Sequence, residues 1–146
     1  MKFFIEGVPA PQGSKNVFIR GGRAIVTEAS KKVKPWREAV ALACVEQRYL
    51  RDKPVSVRIR FFLPLPKKVP TGYPHHVKYP DLDKLIRCVF DGITQSGCVW
   101  NDDRQVVKIE AEKRYAEVGA YTGAEIEIEA CRNGLQNDLT DHALQS

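Results

Sequence analysis

Asp81 and Asp83 stand two residues apart at the head of a helix-like stretch, and Asp102-Asp103 follow in the turn beyond it. Such a set of carboxylates suits a hard divalent cation. Mg²⁺ takes oxygen ligands and is satisfied by a few carboxylates plus water. Beside a phosphodiester, one ion lowers the pKa of a bound water that becomes the nucleophile, and a second, ~4 Å away, steadies the leaving oxygen. Repulsion among the carboxylates is relieved when the cation arrives. Asp81, Asp83, Asp102 and Asp103 are therefore candidate metal ligands.

Simpler roles compete. An aspartate at a helix start is commonly an N-cap worth ~1 kcal/mol. That role covers Asp81 well and Asp83 only in part. Asp83, Arg87 and Asp91 are spaced four apart and share one helix face. An exposed Asp–Arg pair of this spacing contributes ~0.3–0.5 kcal/mol, whereas beside a metal-bound phosphate Arg87 would meet developing charge. An EF-hand does not fit. With Asp81 as its first position, Ile86 stands where the turn glycine belongs and Gly92 where the closing Glu belongs. His75-His76 lacks a ligand-spaced partner, and Gly13-Ser14-Lys15 lacks the rest of a P-loop. Cys44, Cys88, Cys98 and Cys131 form no C-x-x-C pair and read as free thiols.

Charge is divided along the chain. Residues 1–80 carry 16 Lys and Arg against 5 Asp and Glu, while residues 81–146 carry 7 against 13. Lys15, Asn16, Arg20 and Arg23 surround a proposed hairpin, and Lys31, Lys32, Lys34 and Arg37 cluster at the next helix. Neutralising phosphates releases counterions, so clusters of this kind favour nucleic acid. Each run alone is more often a solvated face. Beside the acidic set they point to DNA or RNA. Lys84, within the acidic motif, is a further candidate phosphate contact.

Periodicity gives the elements that must place these groups. Lys2–Val8 reads as a strand ended by Pro9-Ala10-Pro11-Gln12-Gly13-Ser14. Val17–Arg20, Gly21-Gly22 and Arg23–Val26 form a hairpin pattern. A first helix is expected from about Pro35 to about Leu50, and a half-buried strand at Val55–Leu63. Residues 64–80, with five prolines, form a long loop that is functional or mobile. Leu82, Leu85, Ile86, Val89, Phe90 and Ile93 complete the apolar stripe of a second helix, ended by Gly97. Strands follow around Val107–Ala111 and Ala124–Ile128, the latter expected at a sheet edge because of Glu125, Glu127 and Glu129. The reversal after the second helix would bring Asp102 and Asp103 to one of its ends; the sequence leaves open which. Residues 132–146 are polar and aperiodic and are expected to be a disordered tail. The 146 residues suit one domain. No apolar run approaches a membrane span. The opening residues make a poor export signal, so a cytoplasmic protein is expected.

Pro80-Asp81-Leu82-Asp83-Lys84-Leu85-Ile86-Arg87, Phe90-Asp91-Gly92-Ile93 and Val99-Trp100-Asn101-Asp102-Asp103-Arg104-Gln105-Val106-Val107 together resemble the RusA-type Holliday junction resolvases, often encoded by phages and prophages. The resemblance is strong over residues 80–115 and looser before them. It implies an α/β (α+β) single domain over residues 1–131, with a mixed sheet of four to six strands and two main helices. It also implies a homodimer acting on branched DNA, and dependence on Mg²⁺ with Mn²⁺ as the expected substitute. The family's catalytic aspartates fall on Asp81, Asp83 and Asp103. Its catalytic lysine falls on Arg87, which keeps the charge but cannot yield a proton. Paired cuts in a four-way junction would leave 5′-phosphate and 3′-hydroxyl ends. The alternatives are a nuclease of the same chemistry acting on flaps or forks, and a catalytically silent DNA-binding protein.

Overall fold

The computed structural model describes residues 1–13, 15–28 and 31–132, with hairpin residues 15–20 and 23–28 described by backbone alone. The expected tail at 132–146 thus lies, apart from its first residue, outside the described residues.

Alternation in Val55–Leu63 (β4) buries Val55, Val57, Ile59, Phe61 and Leu63 on one side and turns Arg58 and Arg60 to the other. Each fully buried aliphatic or aromatic side chain contributes roughly 1.5–3 kcal/mol, so this strand is the centre of the core. Its neighbours are Val106–Tyr115 (β5), parallel to it, and Gly123–Ala130 (β6), antiparallel. Lys2–Glu6 (β1) pairs antiparallel with β6. The sheet order is therefore β1-β6-β4-β5, with β1 and β5 at the edges.

Lys15–Arg20 (β2) and Arg23–Glu28 (β3) form a separate antiparallel hairpin. Its Gly21 and Gly22 adopt φ of 59° and 77°, which the sharp two-residue turn requires.

Val33–Cys44 (α1) and Leu82–Ser96 (α2) pack on each other and cover one face of the sheet, a two-layer arrangement. Helix α2 follows its stripe closely: Leu85, Val89 and Ile93 are buried, and Gly97 closes it at φ 64°. The opposite sheet face is open and laced by ion pairs such as Arg58–Glu110 at 3.0 Å and Arg58–Glu127 at 3.5 Å.

Two expectations are corrected. Helix α1 ends at Cys44, not near Leu50, because Val45, Glu46, Arg48 and Tyr49 are exposed and offer no burial to prolong it. Leu50 instead enters the core, its N–H donating to Val99 O at 2.7 Å. Strand β6 is interior, not an edge. Its glutamates project to the open face, where Lys2 meets Glu125 at 3.5 Å and Arg58 meets Glu127. Among the described residues, no helix is long and apolar enough to cross a membrane.

Candidate active site

Chain direction decides where the aspartates fall. Strand β4 leads through residues 64–80 into α2, and α2 leads through a single 3₁₀ turn, Asp103–Gln105 (η1), into β5. At the head of α2, Lys113 Nζ of β5 donates to Pro80 O at 2.8 Å. At its tail, Trp100 Nε1 donates to Thr94 Oγ1 at 2.8 Å. Helix α2 thus runs opposite to β5. Asp81 and Asp83 lie beside the far end of β5, and Asp103 lies beside its beginning. Val106 to Lys113 spans about 23 Å of strand, so the two groups stand at opposite ends of the crossover.

Asp81 occupies the N-cap position of α2, yet its carboxylate makes no capping hydrogen bond. Only its backbone carbonyl closes the first turn, accepting from Leu85 N at 3.1 Å. The side chain is 63% exposed, with Lys84 Nζ 3.6 Å away. The simple capping role therefore does not account for this aspartate. Asp83 is exposed in the first turn.

Asp102 does cap. Its Oδ1 accepts from Arg104 N at 2.9 Å, while Gln105 Oε1 accepts from Asn101 N and Asp102 N, a reciprocal capping box on η1. Gln105 Nε2 also donates to Arg51 O and Lys53 O at 2.8 and 2.9 Å, tying the turn to the loop before β4. Trp100 is fully buried and meets Phe90 edge-on at 5.5 Å, seating the turn on α2. Asp103 projects from this braced turn. Its carboxyl is held above the usual carboxylate range, first by burial, then by the charge and hydrogen bond of Asp102 and by the charge of Asp91.

Along α2, Asp83 and Asp91 are about 12 Å apart in axial rise, with Arg87 between them. The Pro9–Gly13 turn docks against this face. Gln12 N donates to Lys84 O at 3.0 Å. The Gln12 amide donates to Asp91, and Arg37 Nη1 donates to Gln12 Oε1 at 3.1 Å. The Arg87 guanidinium lies against Gly13.

The structure brings Asp81 near Lys84, and Asp103 near Asp102 and Asp91. It does not bring Asp103 to Asp81 and Asp83 within one chain. Among the described residues, no three His, Cys, Asp or Glu side chains gather as a metal-holding group. Lys31, Lys32 and Lys34 are exposed around the start of α1. The side chains of Lys15, Asn16, Arg20 and Arg23 lie outside the described residues.

Sequence reasoning missed Gln12, read only as part of a turn, and Lys113. A signal for Lys113 was present: it follows Ile109 and Ala111 at alternate positions, in register with the buried Val57, Ile59 and Phe61, where a lysine is out of place. Its ammonium donates to Lys78 O at 2.7 Å as well as to Pro80 O. Burial pushes its pKa below the usual lysine value, with Asp81 pulling the other way.

Comparison with protein families places this architecture. The family model described as endodeoxyribonuclease RusA matches residues 6–129, from the end of β1 almost to the end of β6. Among curated proteins, none matches the chain. With the match spanning both helices, the acidic crossover, strands β4 and β5 and nearly all of β6, the chain belongs to the RusA endodeoxyribonuclease family.

Proposed function

We propose that this endodeoxyribonuclease resolves four-way DNA junctions by paired, Mg²⁺-dependent nicks, acting as a two-fold homodimer. The observation that carries the reading is the Asp81 carboxylate, set at a helix start, exposed, and not spent on capping. Asp81 and Asp83 are hard oxygen donors of the kind Mg²⁺ prefers. Bound there, the ion would polarise the scissile phosphate and ease ionisation of the attacking water. Arg87, on the same helix, contacts phosphate oxygens and offsets charge. Lys31, Lys32, Lys34 and Lys84, with the hairpin residues Lys15, Asn16, Arg20 and Arg23, supply backbone contacts that hold the junction by shape and charge.

Two carboxylates from one chain are a sparse cage, and a two-fold partner fills it. Strand β5 is an edge strand. Near its beginning Val107 is 65% and Ile109 43% exposed, apolar side chains left uncovered. The 74–80 segment occupies only the far end of that edge: His75 bridges to Arg114, and Tyr115 N donates to Pro74 O at 2.9 Å. Antiparallel pairing of the open stretch with the same stretch of a second copy would place each chain's Asp103 alongside the other's Lys113 and Asp81. Each active site would then combine Asp81, Asp83 and Arg87 of one chain with Asp103 of its partner, Asp102 bracing the turn that carries it. Two such sites related by two-fold symmetry match the two equivalent strands of a junction.

The test is cleavage of synthetic four-way, flapped and linear duplex DNA in Mg²⁺, with Asp83→Asn alongside. The reading expects symmetric nicks in the four-way substrate, with binding but no cutting by Asp83→Asn. Equal rates on all three substrates would defeat junction selectivity, and normal cutting by the mutant would defeat the site.

A further inference from the structure

A half-buried cation, Lys113 of β5, reaches the head of α2 from the sheet. Lys113 lies on the helix-facing side of β5, in register with Phe61 of β4. On a side of the sheet that otherwise presents Val57, Ile59, Phe61 and Ala111, a half-buried charge is steadied by specific partners. Its partners are two main-chain oxygens, Lys78 O at 2.7 Å and Pro80 O at 2.8 Å. Pro80 O belongs to the peptide unit whose nitrogen is that of Asp81. Fixing that oxygen fixes the peptide plane from which the Asp81 side chain departs. Asp81 itself has no capping bond to hold it, and its one ion-pair neighbour within 4 Å among the described residues, Lys84, stands on the same helix turn at 3.6 Å. Farther back along the chain, His75 bridges to Arg114 and Pro74 O accepts from Tyr115 N, so the Lys113 bonds are the ties to the sheet that lie next to Asp81.

We propose that Lys113 is a positioning residue of the acidic site: through Lys78 O and Pro80 O it clamps the 78–81 segment to β5 and so sets where the Asp81 carboxylate meets a divalent cation. The inference rests on the reading of Asp81 as a metal ligand. Lys113 does not touch the reacting atoms in this role, and its two donated bonds, rather than proton transfer, do the work. Partners that orient a ligating group from outside are worth about ten-fold or more in metal affinity.

The experiment measures Mn²⁺ binding directly, by the electron paramagnetic resonance signal of free Mn²⁺, on full-length protein without DNA. Wild type, Lys113→Arg, Lys113→Met and Asp81→Asn are compared, and junction affinity is measured in Ca²⁺ for each. The expected order of Mn²⁺ affinity is wild type, then Lys113→Arg, then Lys113→Met, the last weaker by about ten-fold, with junction affinity unchanged. Lys113→Arg keeps charge and donors but not the compact ammonium seat, so partial retention is its signature. Should Lys113→Met fail to fold, a weakened Lys113→Arg still supports the proposal, and an unchanged one overturns it. A lower melting temperature with unchanged Mn²⁺ affinity would reduce Lys113 to a stabilising role and overturn it. Lost junction affinity with Mn²⁺ binding intact would make Lys113 a phosphate contact and also overturn it. If wild type shows no Mn²⁺ binding that Asp81→Asn removes, the metal reading itself fails, a result distinct from each of these.

Discussion

The Arg87 guanidinium rests on Gly13, so closely that a β-carbon at residue 13 would collide with its Nη1. Residue 13 also has φ of 91°, a conformation other residues rarely adopt. Gly13→Ala should therefore do two things. It should cost about 1 kcal/mol or more in stability from backbone strain, and it should push Arg87 off its seat. Because Arg87 is the flexible partner, cutting should fall further than the stability loss explains. Junction cleavage measured well below the melting temperature checks this. Unchanged turnover would remove Arg87 from the site.

Gly92 sets the approach of the two helices. A β-carbon there would come within 2.8 Å of Val40 Cγ1 and 3.0 Å of Arg37 O. Alanine in a helix interior ordinarily gains up to ~1 kcal/mol over glycine. Here α1 would have to move, and overpacking of this kind costs about 1–3 kcal/mol. Gly92→Ala should lower the melting temperature, and because Arg37 holds Gln12 against Asp91 it should also loosen the Pro9–Gly13 turn. A melting temperature at or above wild type would contradict the tight crossing.

The helix and strand pattern was readable because burial is periodic. Leu82–Ile93 and Val55–Leu63 each repeat one face cleanly, and both elements formed where the pattern placed them. Strand order was not readable. Glutamates on β6 looked like edge protection, yet they serve equally well on an interior strand whose outer face is open and supplied with Arg58 and Lys2. Separation along the chain also concealed the site's layout. The types of Asp81, Asp83 and Asp103 suggest metal ligation, but which end of α2 receives Asp103 depends on the direction of β5, which no local pattern encodes. Gln105 shows the reverse: it belongs to the family-like motif, yet its amide is wholly occupied in bracing a turn.

Asp103 gives a pH prediction. Its folded pKa is raised, chiefly by burial, so the ionised form costs stability in the metal-free protein. That cost is fully present above the folded pKa, declines as pH falls through it, and is gone below the unfolded value. Asp103→Asn should therefore raise the melting temperature of the metal-free protein near neutral pH, with the gain vanishing in acid, while cutting is lost. Thermal melts across pH would show it. A destabilised Asp103→Asn at neutral pH would contradict the assignment of the shift to burial and like charge.

Cysteine reactivity should divide the same way as burial. Cys44 is fully buried, and burial pushes its thiol up to about 11. Cys98 and Cys131 are half-buried. Because the thiolate is the reactive form, Cys98 and Cys131 should react with maleimide first, and Cys44 only on unfolding. Mass spectrometry of the labelled peptides reads this order directly.

If each cutting site draws Asp83 from one chain and Asp103 from its partner, chains carrying the two substitutions separately should complement one another. Co-expressed, differently tagged Asp83→Asn and Asp103→Asn chains test it in one measurement. In the mixed dimer, one shared site carries both substitutions and the other carries neither. Purified mixed dimer should nick a four-way junction in Mg²⁺ while each parent homodimer does not. A mixed dimer as inert as its parents would contradict it.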